Sequence, residues 1–510
     1  NVDYYKYHHI FTYSIHKIDL IFYDSCADKY HIVETVYYVL LMIIILNNRK
    51  LIMKLNSIIF MFIYLLILTG CNNSDSEPST TIQQPTTDLV TVGKILGFGS
   101  VISNGVTFST TSAEVIIDGE QSSLSALEVG MIVSILGSIN NDTGETSANY
   151  IHFENDVEGV ITNIDTNSNS LIVLGRTILM DELTVFNHAS SDTLAIGNVV
   201  NVSGQWRSQE RIQATYIERK QNQYMNGMRM NVKGVINGFD SVLQRFNIGT
   251  QACDYSGAMM QLANGDPLAN GMYVEVSSMK PLSENVLVLD KLQSRERTRN
   301  MSNEGNKLCN ADCDFELDGY ITEFISATSF KVDSLPVTTT SSTLYVNGTF
   351  AELALDVKVK IDGVLDDDGI LVADRIVFSL QSFIEIDADV QSVDTNNATL
   401  SVLGLKIETN SSTILHDHSD LALREFSIND FVSGDRVKIR AYIDSINDGV
   451  IASRLERGTP EEGVTLKAIV ETISPLSLQL LGLSVTTDQN TIYRNKARVI
   501  VDADTFFSLV

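Results

Sequence analysis

Val157-Glu158-Gly159-Val160-Ile161-Thr162-Asn163-Ile164, followed by Asp165-Thr166-Asn167-Ser168-Asn169 and Leu171-Ile172-Val173-Leu174-Gly175, is the stretch on which the fold turns. Its first part alternates with the period of two that marks a strand with one buried face. The Asp, Asn and Ser cluster is turn chemistry, because these side chains bond the backbone two residues on. The second run is therefore the returning strand of a hairpin. Thr177 to Met180 reads as a third strand. The Leu-bearing connector Leu194-Ala195-Ile196-Gly197 then leads into Val199 to Gly204, and Ile212 to Ile217 closes a five-stranded unit.

The same order of signals recurs. Gly93-Lys94-Ile95, Gly159-Val160-Ile161, Gly234-Val235-Ile236 and Gly319-Tyr320-Ile321 open four units, and degenerate openings stand at Asp389-Val390-Gln391 and Ala468-Ile469-Val470. Spacings of 66 to 85 residues are too long for a solenoid and suit small domains. Five antiparallel-type strands in so short a unit are expected to close into a barrel rather than leave two edges open. An immunoglobulin-like sandwich would need about seven strands in ~100 residues. The connector before the fourth strand, as at Leu124-Ser125-Ala126-Leu127, sits where an OB-type barrel has its single helix or turn.

Upstream, Ile58 to Leu68 is an apolar run of signal-peptide length ending in Thr69-Gly70-Cys71, with Lys54 before it. It looks like a bacterial lipobox, which implies cleavage before Cys71 and lipidation of its thiol. Asn72 rather than Asp after the cysteine resembles the outer-membrane sorting pattern. The expected organisation is 1–52 as upstream sequence translated in frame, 53–70 as signal peptide and 71–90 as a disordered tether. Barrels follow at 91–155, 156–222, 231–294, 315–380 and 386–458, with a sixth at 465–510 that reads as truncated.

The chain carries a formal charge of −27. Residues 1–70 hold six of the 36 Lys and Arg and five of the 63 Asp and Glu, so the remainder is near −28. Such a field repels phosphate backbones, and nucleic acid is not an expected partner.

Gly-x-Ile, Asn104-Gly105-Val106-Thr107-Phe108 and Leu127-x-x-Gly130-Met131-x-Val133-x-Ile135-x-Gly137, behind a lipobox, resemble the bacterial domain-of-unknown-function family 5666. The resemblance is best in the first two units and implies tandem OB-like barrels in an exported lipoprotein. Its motifs are structural, so it brings no activity and no site residues.

Few groups invite chemistry. Cys253, Cys309 and Cys313 are disulfide candidates in an exported compartment, either as a local 309–313 bridge or as a link from Cys253, with one thiol left over. His416-Asp417-His418 with Asp420 has metal-ligand chemistry but reads better as a polar connector, and no metal or cofactor is expected. Asp366-Asp367-Asp368-Gly369 lacks the ligand spacing of a calcium loop and reads as a hairpin turn. Gly97-Phe98-Gly99-Ser100 opens no helix and is no phosphate loop. Two basic stretches, Arg207, Arg211, Arg219, Lys220, Arg229 and Lys233, then Lys291, Arg295, Arg297 and Arg299, read as charges paired with acidic barrels rather than as a patch for an anionic glycan or protein. The expected role is a non-enzymatic, lipid-anchored binding or structural protein of the outer membrane, with an unidentified protein or glycan partner. The alternative is an envelope enzyme acting on polysaccharide at a barrel junction.

Overall fold

In Val157–Asp165 the side chains of Val157 and Ile161 are fully buried, while those of Asn163 and Asp165 face solvent. The Asp165 carboxylate accepts from the Asn167 N–H at 2.9 Å and from the Ser168 hydroxyl at 2.7 Å, which makes the turn. Asp240 and Asp394 make the equivalent turn in two other units. This computed structural model describes residues 86–262, 267–294, 302–303, 306–307, 313–380, 383–444, 449–495 and 499–509. The lipobox, Cys71 and the tether as far as residue 85 lie outside them, whereas Thr86 to Val90, read as the end of the tether, belong to the first strand, where Leu89 and Val90 are buried. Among the described residues no helix is long and apolar enough to cross a membrane.

The chain is almost entirely β. In the second barrel, Val157–Asp165 pairs with Ser170–Val173, which pairs with Arg176–Leu179. Arg176–Leu179 runs parallel to Arg211–Gln221, which pairs with Val199–Trp206, and that strand returns to Val157–Asp165. The ring is thus 1-2-3-5-4-1 with a single parallel contact, the OB order. The first barrel closes identically through Thr86–Gly97, Val101–Ser103, Val106–Ser109, Thr146–Phe153 and Ile132–Asn140. So do the fourth, opened by Asp314–Ser326, and the fifth, opened by Ile384–Asp394. In the third, the closing strand is split into Val286–Val288 and Lys291–Ser294. The connectors before strand four are single 3-10 turns at Leu124–Ala126, Phe350–Glu352 and Ile428–Asp430.

The glycine of each Gly-x-Ile opening has a steric cause. The turn between strands two and three folds back over strand one. A Cβ at Gly93, Gly159 or Gly319 would lie 1.9, 2.6 or 2.9 Å from the side chains of Asn104, Leu174 or Val332.

One element was not expected. A short strand after the third, Glu114–Ile117, Val185–Asn187 or Ile414–Asp417, adds in parallel to the end of the fifth strand in the first, second and fifth barrels. It takes a segment that the sequence reads as connector.

The barrels are also cross-paired. The first strand is 9 to 13 residues long against three or four in the second, so the N-terminal half of the first strand keeps an open edge. Open edges take partners. Leu89 to Val92 runs parallel to Asp314 to Leu317, joining the first and fourth barrels, and Val157 and Glu158 pair with Val232 and Asn231, joining the second and third. The cores follow: Val90 and Val92 are buried with the fourth barrel, and the second and third share one cluster.

Beyond the fifth barrel, Thr465–Lys467 adds to that barrel's first strand. Val470–Ser474, Ser477–Leu480 and Leu483–Thr486 form a three-stranded meander that leaves Ile473, Leu476 and Val485 exposed. A helix, Ala503–Leu509, stands where the connector was expected.

Candidate functional site

Strand pairing places the only histidine cluster among the described residues. Ile414–Asp417 runs parallel to Val450–Gly458 with His416 opposite Glu456, and His418 follows two residues on, on the same face as His416. Ligand-type atoms of His416, His418 and Glu456 all lie within 4.8 Å of one another, and the two imidazole centroids are 4.1 Å apart. His418 Nδ1 is 2.8 Å from Glu456 Oε1, and the Arg454 guanidinium grips Oε2 of the same carboxylate. The Nδ1 of His416 is buried and has no hydrogen-bond partner. Burial, with His418 and Arg454 adding to it, holds the His416 imidazole down to about 4, so it is neutral at pH 7. Burial opposes ionisation of Glu456, but the His418 hydrogen bond and the Arg454 charge outweigh it and hold the carboxyl down to about 2.

Asp417 points the other way. Its buried carboxylate takes both arms of Arg457, at 2.9 and 2.5 Å, and Asp420 is exposed. The His-Asp-His-Asp reading of this loop therefore loses both aspartates, and Glu456, from the partner strand, supplies the carboxylate instead.

His418 and Glu456 line a cavity of about 520 Å³ between the second and fifth barrels, with Asp181, Glu182 and Thr184 on one side and Lys438, Arg440 and Arg454 on the other, whereas His416 lines a second cavity that His418 shares. The second, of about 280 Å³, is bounded by Phe98, Glu128, Tyr216 and Arg424. Arg454 spans the junction, donating to the carbonyls of Thr184 at 3.2 Å and Glu182 at 3.4 Å. Arg424 ties the fifth barrel to the first by donating to the carbonyl of Leu124 at 2.5 Å while lying 3.9 Å over Phe98.

In the first basic stretch Arg207 and Lys233 make such ties, while Arg229 and Arg219 bond within or beside their own barrels. Arg207 is bidentate to Asp356 of the fourth barrel, Arg229 meets Glu275 at 3.4 Å, Lys233 pairs with Glu154, and Arg219 donates to the Thr193 carbonyl. Arg295, Arg297 and Arg299 lie outside the described residues. Asp366 to Gly369 is a turn in which Asp366 accepts from the Asp368 and Ile370 N–H groups.

Cys253 is a free thiol inside the third barrel, pushed up to about 12 by burial, so the reading that linked it to another cysteine is corrected and it is the thiol left over. Cys313 is disulfide-bonded. Cys309 lies outside the described residues.

Where three barrels meet, burial pushes the Glu158 carboxyl up to about 7, with Arg229 only partly offsetting it. A carboxyl whose folded value lies above its unfolded value of about 4.3 costs stability that grows as pH rises from about 4 to 7 and is full above 7. Glu158→Gln should therefore raise the melting temperature at pH 8, by an equivalent on the order of 2 kcal/mol, and leave it unchanged at pH 4. Melts at the two pH values check this, and an equal effect at both would refute it.

Fold and junctions together define a tandem β-barrel protein whose modules are stitched by edge pairing and buried charge. Residues 158–218, 318–377 and 389–456 match the family described as "Domain of unknown function (DUF5666)", and these segments are tandem DUF5666 domains. The matches fall on the second, fourth and fifth barrels, whereas the sequence resemblance was strongest in the first two. No curated protein matches the chain. Among solved structures it is similar to one described as "drosophila Unr CSD456", at 12% identity over 45% of this chain and 97% of that one, with a TM-score of 0.11. That score is too low to carry an argument.

Proposed function

We propose that this chain is a non-enzymatic, lipid-anchored protein of the bacterial cell envelope whose barrels act as one rigid body to bind or scaffold an envelope component. The observation that carries the reading is the cross-pairing of first strands, which fixes the first barrel to the fourth and the second to the third. Modules held in register present a constant surface, which suits recognition of an extended partner better than flexibly strung modules do. The anchor rests on Leu68-Thr69-Gly70-Cys71, and a lipoprotein's several acyl chains hold stably where one would not. Location at the outer membrane and a protein or glycan partner belong to the same proposal.

Cys71→Ser should move the protein from the membrane fraction to the soluble fraction of lysed cells. Retention in the membrane would remove the lipid anchor from the proposal. Crosslinking of the anchored wild type in whole cells, followed by recovery in detergent, would then test for the partner.

The alternative, an enzyme acting on envelope polysaccharide, has one observation in its favour: the 520 Å³ junction cavity with Asp181 and Glu182 on its wall. Release of reducing ends from purified envelope glycan, lost in Asp181→Asn, would establish it in place of the binding role.

A further inference from the structure

We propose that His416, His418 and Glu456 form a binding site for a divalent transition-metal ion of the zinc type, with one coordination position open to the cavity between the second and fifth barrels. The inference does not depend on the anchor. Two imidazoles and one carboxylate are a borderline donor set that suits Zn²⁺, Co²⁺ or Cu²⁺ and not the all-oxygen preference of Ca²⁺ or Mg²⁺. Three protein ligands with a fourth position free is the arrangement of open zinc sites.

The backbone preorganises the set. His416 and Glu456 are opposite one another in a parallel pair, and the His418 N–H donates to the Arg457 carbonyl at 2.7 Å, which continues the pairing and holds the second imidazole over the first. Tetrahedral donors about 2.05 Å from a zinc ion lie roughly 3.4 Å apart. A spread of 4.8 Å at most is closed by side-chain rotation without moving either strand.

Two features of the cluster are unexplained without an ion. The buried His416 Nδ1 has no partner, and an unmet buried polar atom is costly. Two imidazoles with centroids 4.1 Å apart stand beside a single carboxylate that only His418 engages. A metal ion answers both: it occupies a lone pair of His416 and takes the place of the proton between His418 Nδ1 and Glu456 Oε1, that imidazole keeping its proton on Nε2.

Arg454 then acts through the carboxylate. By holding Glu456 Oε2 it aims Oε1 at the ion, as groups behind metal ligands commonly do, and it also tempers the negative charge the ion would see. Across the cavity Asp181 restores part of that charge, while Glu182 is already paired with Arg440 at 2.9 Å and Lys467 at 3.2 Å. The open position faces these residues, so the further ligand of the ion would be water or an oxygen donor entering from the cavity.

The test uses the full chain in detergent, purified without a polyhistidine tag, stripped with a chelator and titrated with Co²⁺, with Zn²⁺ as competitor. The expected result is one equivalent of Co²⁺ with a visible absorption band that Zn²⁺ abolishes. His418→Ala, at an exposed residue, should weaken binding by about 100-fold or more with the β-type circular dichroism unchanged, and Glu456→Gln should weaken it by at least tenfold. If the alanine variant lost its fold, His418→Gln would give the same reading. Absence of a saturable visible band in the wild type, or a band that survives unchanged in the His418 and Glu456 variants and so belongs to other histidines of the chain, overturns the proposal.

Discussion

Asp417→Ala should destabilise the fifth barrel by roughly 3–5 kcal/mol, the range for removing one partner of a buried ion pair. Asp417 and Arg457 are 4% and 5% exposed, and they form a bidentate pair withdrawn from the surface. The substitution would leave the guanidinium with the Asp430 carbonyl at 2.8 Å and the more distant Asp435 carboxylate at 3.6 Å, beneath the Phe426 ring. It would also free the N–H groups of Ser419 and Leu423, which the same carboxylate accepts at 3.0 and 2.8 Å. The pair therefore both ties the added strand Ile414–Asp417 to the fifth strand and holds the loop that follows His418. The companion variant Asp417→Leu with Arg457→Met removes both charges and should recover most of the loss, because a buried pair is costly to break and nearly neutral to replace. Denaturant melts followed by hydrogen exchange in 384–458 measure both. A single variant as stable as the double would mean that water reaches the pair.

The barrels were legible in the sequence because each is made of local signals. The alternation of Val157 to Ile164 and the Asp165 turn specify a hairpin without reference to anything distant, and the five-strand count made closure the economical outcome. What was not legible is long-range. Nothing in Leu89-Val90-Thr91-Val92 says that its open edge is covered by Phe315, over two hundred residues on, because edge pairing uses backbone groups that every residue carries. The place of Glu456 beside the two histidines was not legible for a related reason. His416 was visible, but the short parallel strand that carries it lies where a connector was expected, and its register with Glu456 follows from barrel closure and not from spacing. Asp417, the nearest carboxylate in sequence, points away from the two imidazoles to Arg457, since neighbouring residues on a strand face opposite sides. The Gly-x-Ile openings were read correctly as repeat marks without their cause, the turn that folds back over the glycine.

Those turns supply the second large expected effect. Leu174-Gly175 and Leu403-Gly404 are the same two-residue turn, with φ of 43° and 73° in one and 53° and 77° in the other. Positive φ at both positions is what a tight hairpin of this hand requires, and Leu tolerates it at position 174 because its side chain is fully buried in the core. The surroundings differ. A Cβ on Gly404 meets nothing within 4 Å, whereas one on Gly175 would lie 2.3 Å from the Gln251 backbone nitrogen in the third barrel. Gly404→Ala should therefore cost only the left-handed strain, about 1 kcal/mol. Gly175→Ala adds a collision with backbone that cannot rotate away, and should cost about 3 kcal/mol, since overpacking a fixed contact adds about 1–3 kcal/mol to the strain. The loss should be local as well as larger. Hydrogen exchange should accelerate in Arg245–Ile248 and Gln251–Asp254, the hairpin of the third barrel, only in the Gly175 variant. Equal effects from the two alanines would show that the second and third barrels separate at little cost, and would take from the rigid-body reading one of the contacts on which it depends.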